Sequence, residues 1–400
     1  MTEQTSLPSD ISPDASPNVK QGTVIKKSSA KIKRSKNSAE LRSGFTTGAC
    51  AAAASRAAAH YLLTGNQIEQ ITITLPIGEQ ATFKLVRLQQ AENGVLAGII
   101  KDAGDDPDCT HGAEIQSLVT YSQQAGIRID GGEGVAKVTL PGLELPVGMA
   151  AINPVPRKNI LQMVEKEWHL RPATIDKKYL GLSVEIRVPN GVELAKQTIA
   201  ERLGLIGGIS ILGTRGTVKP YSTSAFASSV RQAIQVATTN QTRHLVLTTG
   251  SRTEKAAKTI FPELSGMSFI QAGDFVGVGL RSARRYQAEQ VSIVVMVGKL
   301  CKMVAGHLMT HVSGEKIDFN LLSKLANEIG SQHSFSQKIA AANTGRHLLQ
   351  IYFQQPLDGY LDLLCKQAKQ HASAYIDQQL PIEFYLVDFE GQLIASSDCS

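Results

Sequence analysis

From His244 onward the chain repeats a pattern that few folds accommodate. HLVLTTG, TEKAAKTIF, MSFIQAG, FVGVGLRSARRYQ, VSIVVMVG and KLCKMVAGHLM follow one another as short apolar runs and helical stretches in turn. Apolar runs of this kind, alternating with helices of about 10 to 15 residues, are the sequence form of successive βαβ units with parallel strands. Ligands of such sheets sit at the carboxyl ends of the strands. Three glycine-bearing turns fall there: TTGSRTEK at 248–255, AGDFVGVGLR at 272–281 and VGKLCK at 297–302. Each would aim helix-start N–H groups at a phosphate, a carboxylate or the polar end of a nucleotide. The plain alternative is a tight strand-to-helix turn. Gly273, Gly277 and Gly279 spell G-x-x-x-G-x-G, a loose relative of the dinucleotide fingerprint, and no GxxxxGK[ST] is present, which disfavours a P-loop ATPase.

The chain before that point reads differently. TTGACAAAASRAAAHYLL at 46–63 joins a turn to an alanine-rich helix, with Thr46 or Thr47 as its N-cap. The runs ITITL (71–75), ATFKLVRL (81–88), GVLAGII (94–100), AEIQSLVTY (113–121) and VAKVTL (135–140) are strand-like, divided by Gly, Asp and Asn turns. They predict antiparallel pairing. A helix follows from Pro156, then strands LSVEIRVP (182–189) and LIGGISIL (205–212) and a helix around 222–238. The last part, 317–400, reads as mainly helical and closes with IEFYLVDF and QLIAS as a strand pair. The expected architecture is a disordered basic leader (1–40), an α+β N-terminal domain (41–220) with substrate-facing loops, and an α/β, Rossmann-like C-terminal domain (221–400) with a mostly parallel sheet.

Composition narrows the class. The 400 residues carry a net charge of +6, but residues 1–37 hold seven basic and three acidic groups, so the remainder is close to neutral. A nucleic-acid-coating domain would spread its charge over a folded face. The single Trp168 and the scarcity of aromatics offer no stacking platform for single strands. Five cysteines, at 50, 109, 301, 365 and 399, form no CxxC, which argues against a secreted disulfide framework and a structural zinc site. The leader lacks the apolar core of a signal peptide, and no apolar run reaches the roughly 20 residues that span a bilayer. A cytoplasmic protein is expected.

Three groups of residues carry chemistry. KDAGDDPDCTHG places Asp102, Asp105, Asp106 and Asp108 on one loop with His111 just beyond. Four carboxylates that close repel one another, so a metal, Arg or Lys partners, a cationic ligand or hydration must compensate them. The spacing is not that of a calcium loop. His307 and His311 lie four apart on an expected helix, but Leu308 stands where HExxH proteases carry Glu, and ordinary polar histidines are the simpler reading. Arg157 and Lys158 follow INPVP, and Arg215 and Lys219 follow LIGGISIL, as anion contacts or as a solvated rim.

In order along the chain, LRSGFTTGACAAAA, KDAGDDPDCTHG, GGEGVAKVTLPGL, VGMAAINPVPRKNI, GLSVEIRVPNGVELAKQT, RLGLIGGISILGTRGTVKP and GKLCKMVAGHLMTH resemble the CbiD family. The resemblance covers residues 41–315 in collinear blocks and 316–400 more loosely. Residues 1–40 lie outside the family core, and Cys109 stands where an aliphatic residue is commoner. The resemblance implies methyl transfer from S-adenosyl-L-methionine to C1 of cobalt-precorrin-5B, giving cobalt-precorrin-6A in anaerobic cobalamin biosynthesis, with cobalt present only as part of the tetrapyrrole substrate.

A sulfonium methyl is already electrophilic, so such an enzyme needs no covalent nucleophile and no metal of its own, only alignment of donor and acceptor. A flat ring edged with carboxylates calls for Arg and Lys contacts and an apolar floor. The substrate contacts expected are Arg42, Thr46, Thr47, Lys101, Arg157, Lys158, Arg215 and Lys219. Asp102, Asp105 and Asp106 would organise the cationic side of the site, and His111 would shuttle a proton. The donor would lie against Gly250, Ser251, Gly273, Asp274, Gly277, Gly279, Gly298 and Lys299. Neither nucleic acid nor membrane is an expected partner; other cobalamin-pathway enzymes and a second copy of the chain stay open. So do three other readings: a tetrapyrrole carrier or scaffold, a nucleotide-linked dehydrogenase, and a nucleic-acid-binding module using the leader.

Overall fold

An alanine surface organises the first half of the molecule. The structure, a computed structural model, describes residues 41–310 and 316–398; the expected leader lies outside them. After β1 (Gly44–Phe45), helix α1 (Thr47–Thr64) starts at Thr46, whose side chain accepts from Ala49 N at 3.1 Å, and ends at Gly65, whose φ of 72° suits glycine. Every alanine from Ala49 to Ala59 is buried. With nine of its 18 residues Gly or Ala, α1 lies close against a sheet on one side and against α2 on the other.

That sheet holds β4 (Arg87–Ala91), β5 (Gly94–Ile100), β6 (Glu114–Ser122), β9 (Gly181–Arg187) and β7 (Gly126–Gly131), in that spatial order. A separate hairpin pairs β2 (Gln70–Thr74) with β3 (Gln80–Lys84). Helix α2 (Pro154–His169) starts on prolines, which need no N–H partner there. Two expectations are corrected. The run 81–88 breaks at Leu85–Val86, and its halves join different sheets. Pairing is also not wholly antiparallel, because the unforeseen β7 runs parallel to β9. Its sequence, GIRIDG, has only two apolar residues and an edge position, so it carries little strand signal.

Small elements link this half to the next: β8 (Lys137–Val138), α3 (Gly191–Ala195), β10 (Leu205–Ile206) and β11 (Thr217–Val218). The expected strand 205–212 shrinks to β10 because Gly207 and Gly208 turn the chain at φ of 91° and 159°; beyond them Ile209 and Ile211 make isolated parallel bridges to Val135 and Ile152. Helix α4 (Thr223–Thr239) then crosses between the halves. Its Val236 packs with Ala136, Val138, Leu145, Leu203 and Leu205.

The second sheet has the spatial order β13 (Phe269–Gln271), β12 (His244–Thr248), β14 (Gln290–Met296), β15 (Ile382–Val387), β16 (Leu393–Ser396). Its first four strands are parallel, and β16 is antiparallel at the edge. Alternation along the strands sorts the side chains. Val246 and Val294 face α5 (Ser251–Ile260), whereas Leu245, Leu247, Ile293 and Val295 join the larger core. That core includes residues of α4, α6 (Val276–Arg285), α7 (Val297–Val304), α8 (Phe319–Glu328), α9 (His333–Ala340), α10 (Gly345–Gln354) and α11 (Tyr360–Tyr375). Helix α7 stops at Val304, and Gly306 (φ 85°) turns the chain, so His307 is not helical. The helical spacing expected for His307 and His311 is therefore lost, and His311 itself lies outside the described residues. The described residues, from Leu41 onward, belong to one compact unit.

The alanine contact generates a stability prediction. Ala54→Leu inserts volume at a fully buried position, and should cost about 1–3 kcal/mol, read as a lower midpoint in thermal or urea unfolding.

Candidate functional site

The loop after β5 carries the four aspartates, and the structure shows what compensates them. Arg42 clasps Asp102 with two hydrogen bonds, Nη1 to Oδ2 at 2.5 Å and Nη2 to Oδ1 at 2.8 Å, while its backbone N–H donates to Asp105 Oδ2 at 2.9 Å. Tyr221 N donates to Asp106 Oδ1 at 2.9 Å. Lys101 Nζ donates to Asp108 Oδ2 at 2.6 Å, and Asp108 Oδ1 accepts from Thr110 N and Oγ1 at 2.8 and 2.6 Å. The protein's own donors meet all four carboxylates. Among the described residues no His, Cys, Asp and Glu group is placed to hold a metal ion. The loop fits only because Gly44 and Gly104 cross without side chains: a Cβ on Gly44 would strike the Ala103 backbone, and one on Gly104 the Arg42 carbonyl.

These contacts set the local electrostatics. Hydrogen bonding from Arg42, aided by Gly104 N–H, holds the Asp102 carboxyl at about 2. Burial pushes Asp108 up, but hydrogen bonds from Lys101 and Thr110 outweigh it and leave that carboxyl below its ordinary range. Burial raises the Cys109 thiol, so it is not primed as a nucleophile. His111 Nδ1 accepts from Ala103 N at 3.1 Å, which leaves the neutral ring its proton on Nε2.

Next to this loop lies a cleft of about 220 Å³. Thr46, Thr47, Lys101, Asp108, Cys109 and Thr110 form its polar end, and Leu143, Leu145, Leu203, Leu205, Ile209 and Val218 contribute apolar walls. Ser229 and Gln232 of α4 close it from the other half. The expected residues divide sharply here. Lys101, Thr46 and Thr47 line the cleft; Asp102, Asp105, Asp106 and His111 do not, being turned to their ties with Arg42, Tyr221 and Ala103. Arg157 donates Nη1 to Ile129 O at 2.8 Å, outside the lining, and Lys158, Arg215 and Lys219 are exposed away from it. Two donors at the start of α1 are already spent, Gly48 N on Leu212 O and Ala49 N on Thr46 Oγ1, both at 3.1 Å. The lining also includes Asp108, which the sequence marks as one of the four loop carboxylates without a site role, and Thr110 and Asn153, which it does not mark. The signal for Thr110 is D-x-T, in which its N–H and hydroxyl turn back on Asp108 Oδ1.

The three glycine turns also come together, at the carboxyl ends of β12, β13 and β14. Lys299, near the start of α7, donates Nζ to Thr249 O at 2.9 Å and lies 3.1 Å from Asp274 Oδ1. Thr310 Oγ1 donates to the same Asp274 oxygen at 2.8 Å. Gly250 and Gly298 border open space, and Ser251 begins α5. Gly273 (φ 60°) lies against the Phe226 ring of α4, which stacks on Phe275. Gly277 and Gly279 correct the expectation. Both sit inside α6 with N–H groups bonded to Leu308 O and Phe275 O, and a Cβ on either would meet Tyr375 or Leu247, so they serve close packing. Helix α4 thus forms a wall of the cleft through Ser229 and Gln232 and touches the turns through Phe226. A second cavity of about 90 Å³, lined by Phe226, Phe269, Gln271 and Arg202, shares Ile199 and Ser229 with the first.

Comparison with known proteins finds relatives along most of the chain. The CbiD profile matches residues 34–220, and the profile of the CbiD C-terminal domain matches 309–398. The chain is similar to the cobalt-precorrin-5B C(1)-methyltransferase of Leptospira borgpetersenii serovar Hardjo-bovis (strain JB197), 44% identical over 355 residues, 89% of this chain and 95% of that one. Its similarity to the protein of the same name from Thermus thermophilus is 46% over 356 residues, 89% and 94% of the two chains. For that from Priestia megaterium it is 43% over 358 residues, 90% and 96%. A crystal structure of a cobalamin biosynthesis protein (cbiD) from Archaeoglobus fulgidus aligns with 26% identity and a TM-score of 0.36, over 72% of this chain and 84% of that one.

The Arg42–Asp102 clasp predicts a pH signature. A carboxyl lowered from 3.8 to about 2 on folding contributes stability that is complete above the upper value and is lost as pH falls towards the lower. The unfolding midpoints of wild type and Asp102→Asn should differ at pH 5 and converge near pH 2, with the gap smaller in high salt because the pair is half exposed.

Proposed function

The chain belongs to the CbiD family and is an enzyme of cobalamin biosynthesis that methylates cobalt-precorrin-5B at C1, and we propose that it takes the methyl group from S-adenosyl-L-methionine at the carboxyl edge of its second sheet. The observation that carries the activity is the collinear similarity, 42 to 46% identical, over about nine-tenths of the chain.

The residues at the strand ends suit such a donor. Gly250, Ser251, Gly273, Gly298, Asp274 and Lys299 would hold it: the glycines leave room at the backbone, Asp274 supplies an acceptor for hydroxyl or ammonium groups, and Lys299 a donor for carboxylate. When bound, the donor supplies a methyl group that needs no further activation. The chain's own work is then alignment and exclusion of water. We place the tetrapyrrole against residues 41–220 and the donor against 221–400, with α4 between them. A cleft of about 220 Å³ is smaller than the usual ~300–1,000 Å³ ligand pocket. It accommodates one arm of the ring, and the ring itself lies across its mouth.

Arg42 with its aspartates holds the shape of that mouth, and His111 offers Nε2–H to solvent or substrate at its edge. No helix of the described residues is long and apolar enough to cross a membrane.

Mass spectrometry of cobalt-precorrin-5B incubated with the enzyme and methyl-labelled donor should show one labelled methyl, at C1. Tight ring binding without donor consumption would instead mark a carrier. For the donor site, Gly250→Phe meets open space and should leave the melting temperature unchanged while raising the donor KM about tenfold or more; an unchanged donor KM would move the donor elsewhere.

A further inference from the structure

Lys101 is the unusual residue of the cleft. It is only 1% exposed, yet it lines the cavity. An ammonium group carries three N–H donors and no acceptor. Among the described residues its hydrogen-bond partner is Asp108, which takes one of them at 2.6 Å. Asp108 cannot swing round to take more, because its other oxygen is held by Thr110 N and Oγ1. A buried charge with unspent donors is costly unless an acceptor arrives. Leu143, Leu145, Leu205 and Ile209 supply none from their side chains, the polar lining residues Thr46, Thr47, Asn153 and Ser229 make no hydrogen bond to Lys101 Nζ among the described residues, and Glu144 is exposed. The cavity is therefore a cleft of mixed lining that holds a buried cation with N–H groups to spare, which suits it to receive a carboxylate.

Resting on the proposed function, we infer that the Lys101–Asp108 unit receives one particular carboxylate arm of the tetrapyrrole, so that this arm fixes which ring carbon faces the donor. Lys101 contacts the arm. Asp108 is a positioning residue: it holds the ammonium head in place and leaves the remaining N–H groups for the ligand. The specificity is steric as well as electrostatic, since a cleft of about 220 Å³ takes a side arm and not the ring.

The test uses the full chain and a set of cobalt-precorrin-5B analogues, each with one carboxylate converted to the primary amide. With the wild type, one mono-amide should be methylated with kcat/KM lower by about tenfold or more, as expected for loss of a charge-assisted hydrogen bond. In the double variant Lys101→Met/Asp108→Leu, which removes both charges and so leaves neither buried alone, the same mono-amide and the parent acid should react equally, and more slowly than wild type with acid. Ser210→Phe, which fills the cleft and keeps both charges, should abolish the same discrimination, and so guards against a double variant that does not fold. Discrimination that is the same in all three proteins overturns the inference while leaving the methyltransferase reading intact. Failure of the wild type to methylate the parent acid overturns that reading and the inference with it.

Discussion

The close approach of α1 to the first sheet is the constraint on which the remaining geometry depends. A helix normally stands about 10 Å from a sheet because its side chains hold it there. Here the run from Ala49 to Ala59 presents methyl groups, and Ser55 Oγ reaches Ser117 Oγ at 2.9 Å. The start of α1 is thereby brought level with the end of β5, and the two loops that leave these elements cross through Gly44 and Gly104. Larger residues at either place would separate Thr46 from Lys101 and open the floor of the cleft.

Given that crossing, charge completes the arrangement. Carboxylates gathered on one loop repel one another, and the protein offsets this with donors from three other places: Arg42 before α1, Tyr221 before α4, and Lys101 at the end of β5. Each tie fastens the loop to a different element. The loop is consequently a hub that connects the halves of the chain, and its acidity serves assembly as much as chemistry. The contrast between half-exposed Arg42–Asp102 and buried Lys101–Asp108 is instructive. The first is screened by water and worth little by itself; the second sits where electrostatic interactions are strong and where a missing partner is felt.

The sequence made some of this legible. Alternation after His244 revealed the parallel strands, because buried strands need runs of Val, Ile and Leu and their connections need helices. The Thr46 cap and the helix behind it were also readable, as was the block order that marks the family. What escaped were features decided by tertiary contact. GIRIDG became a strand because β9 offered it an edge. Gly277 and Gly279 looked like ligand-binding glycines but serve helix packing against Tyr375 and Leu247, and sequence does not distinguish a glycine that admits a ligand from one that admits a neighbour. Protein donors meet all four aspartates, but Asp108 alone of them also lines the cleft.

The span of Lys299 has a consequence for how this molecule can change. One ammonium group ties the turn after β12 to the turn after β13 while itself standing on the turn after β14. The three turns are thus mechanically one piece, although they are distant in the chain. Grafting any single turn from a relative would transmit its altered backbone to the other two, so successful exchange in the laboratory, or drift in a lineage, must preserve the position of the carbonyl at 249 and an anion at 274 or replace all three segments as a set.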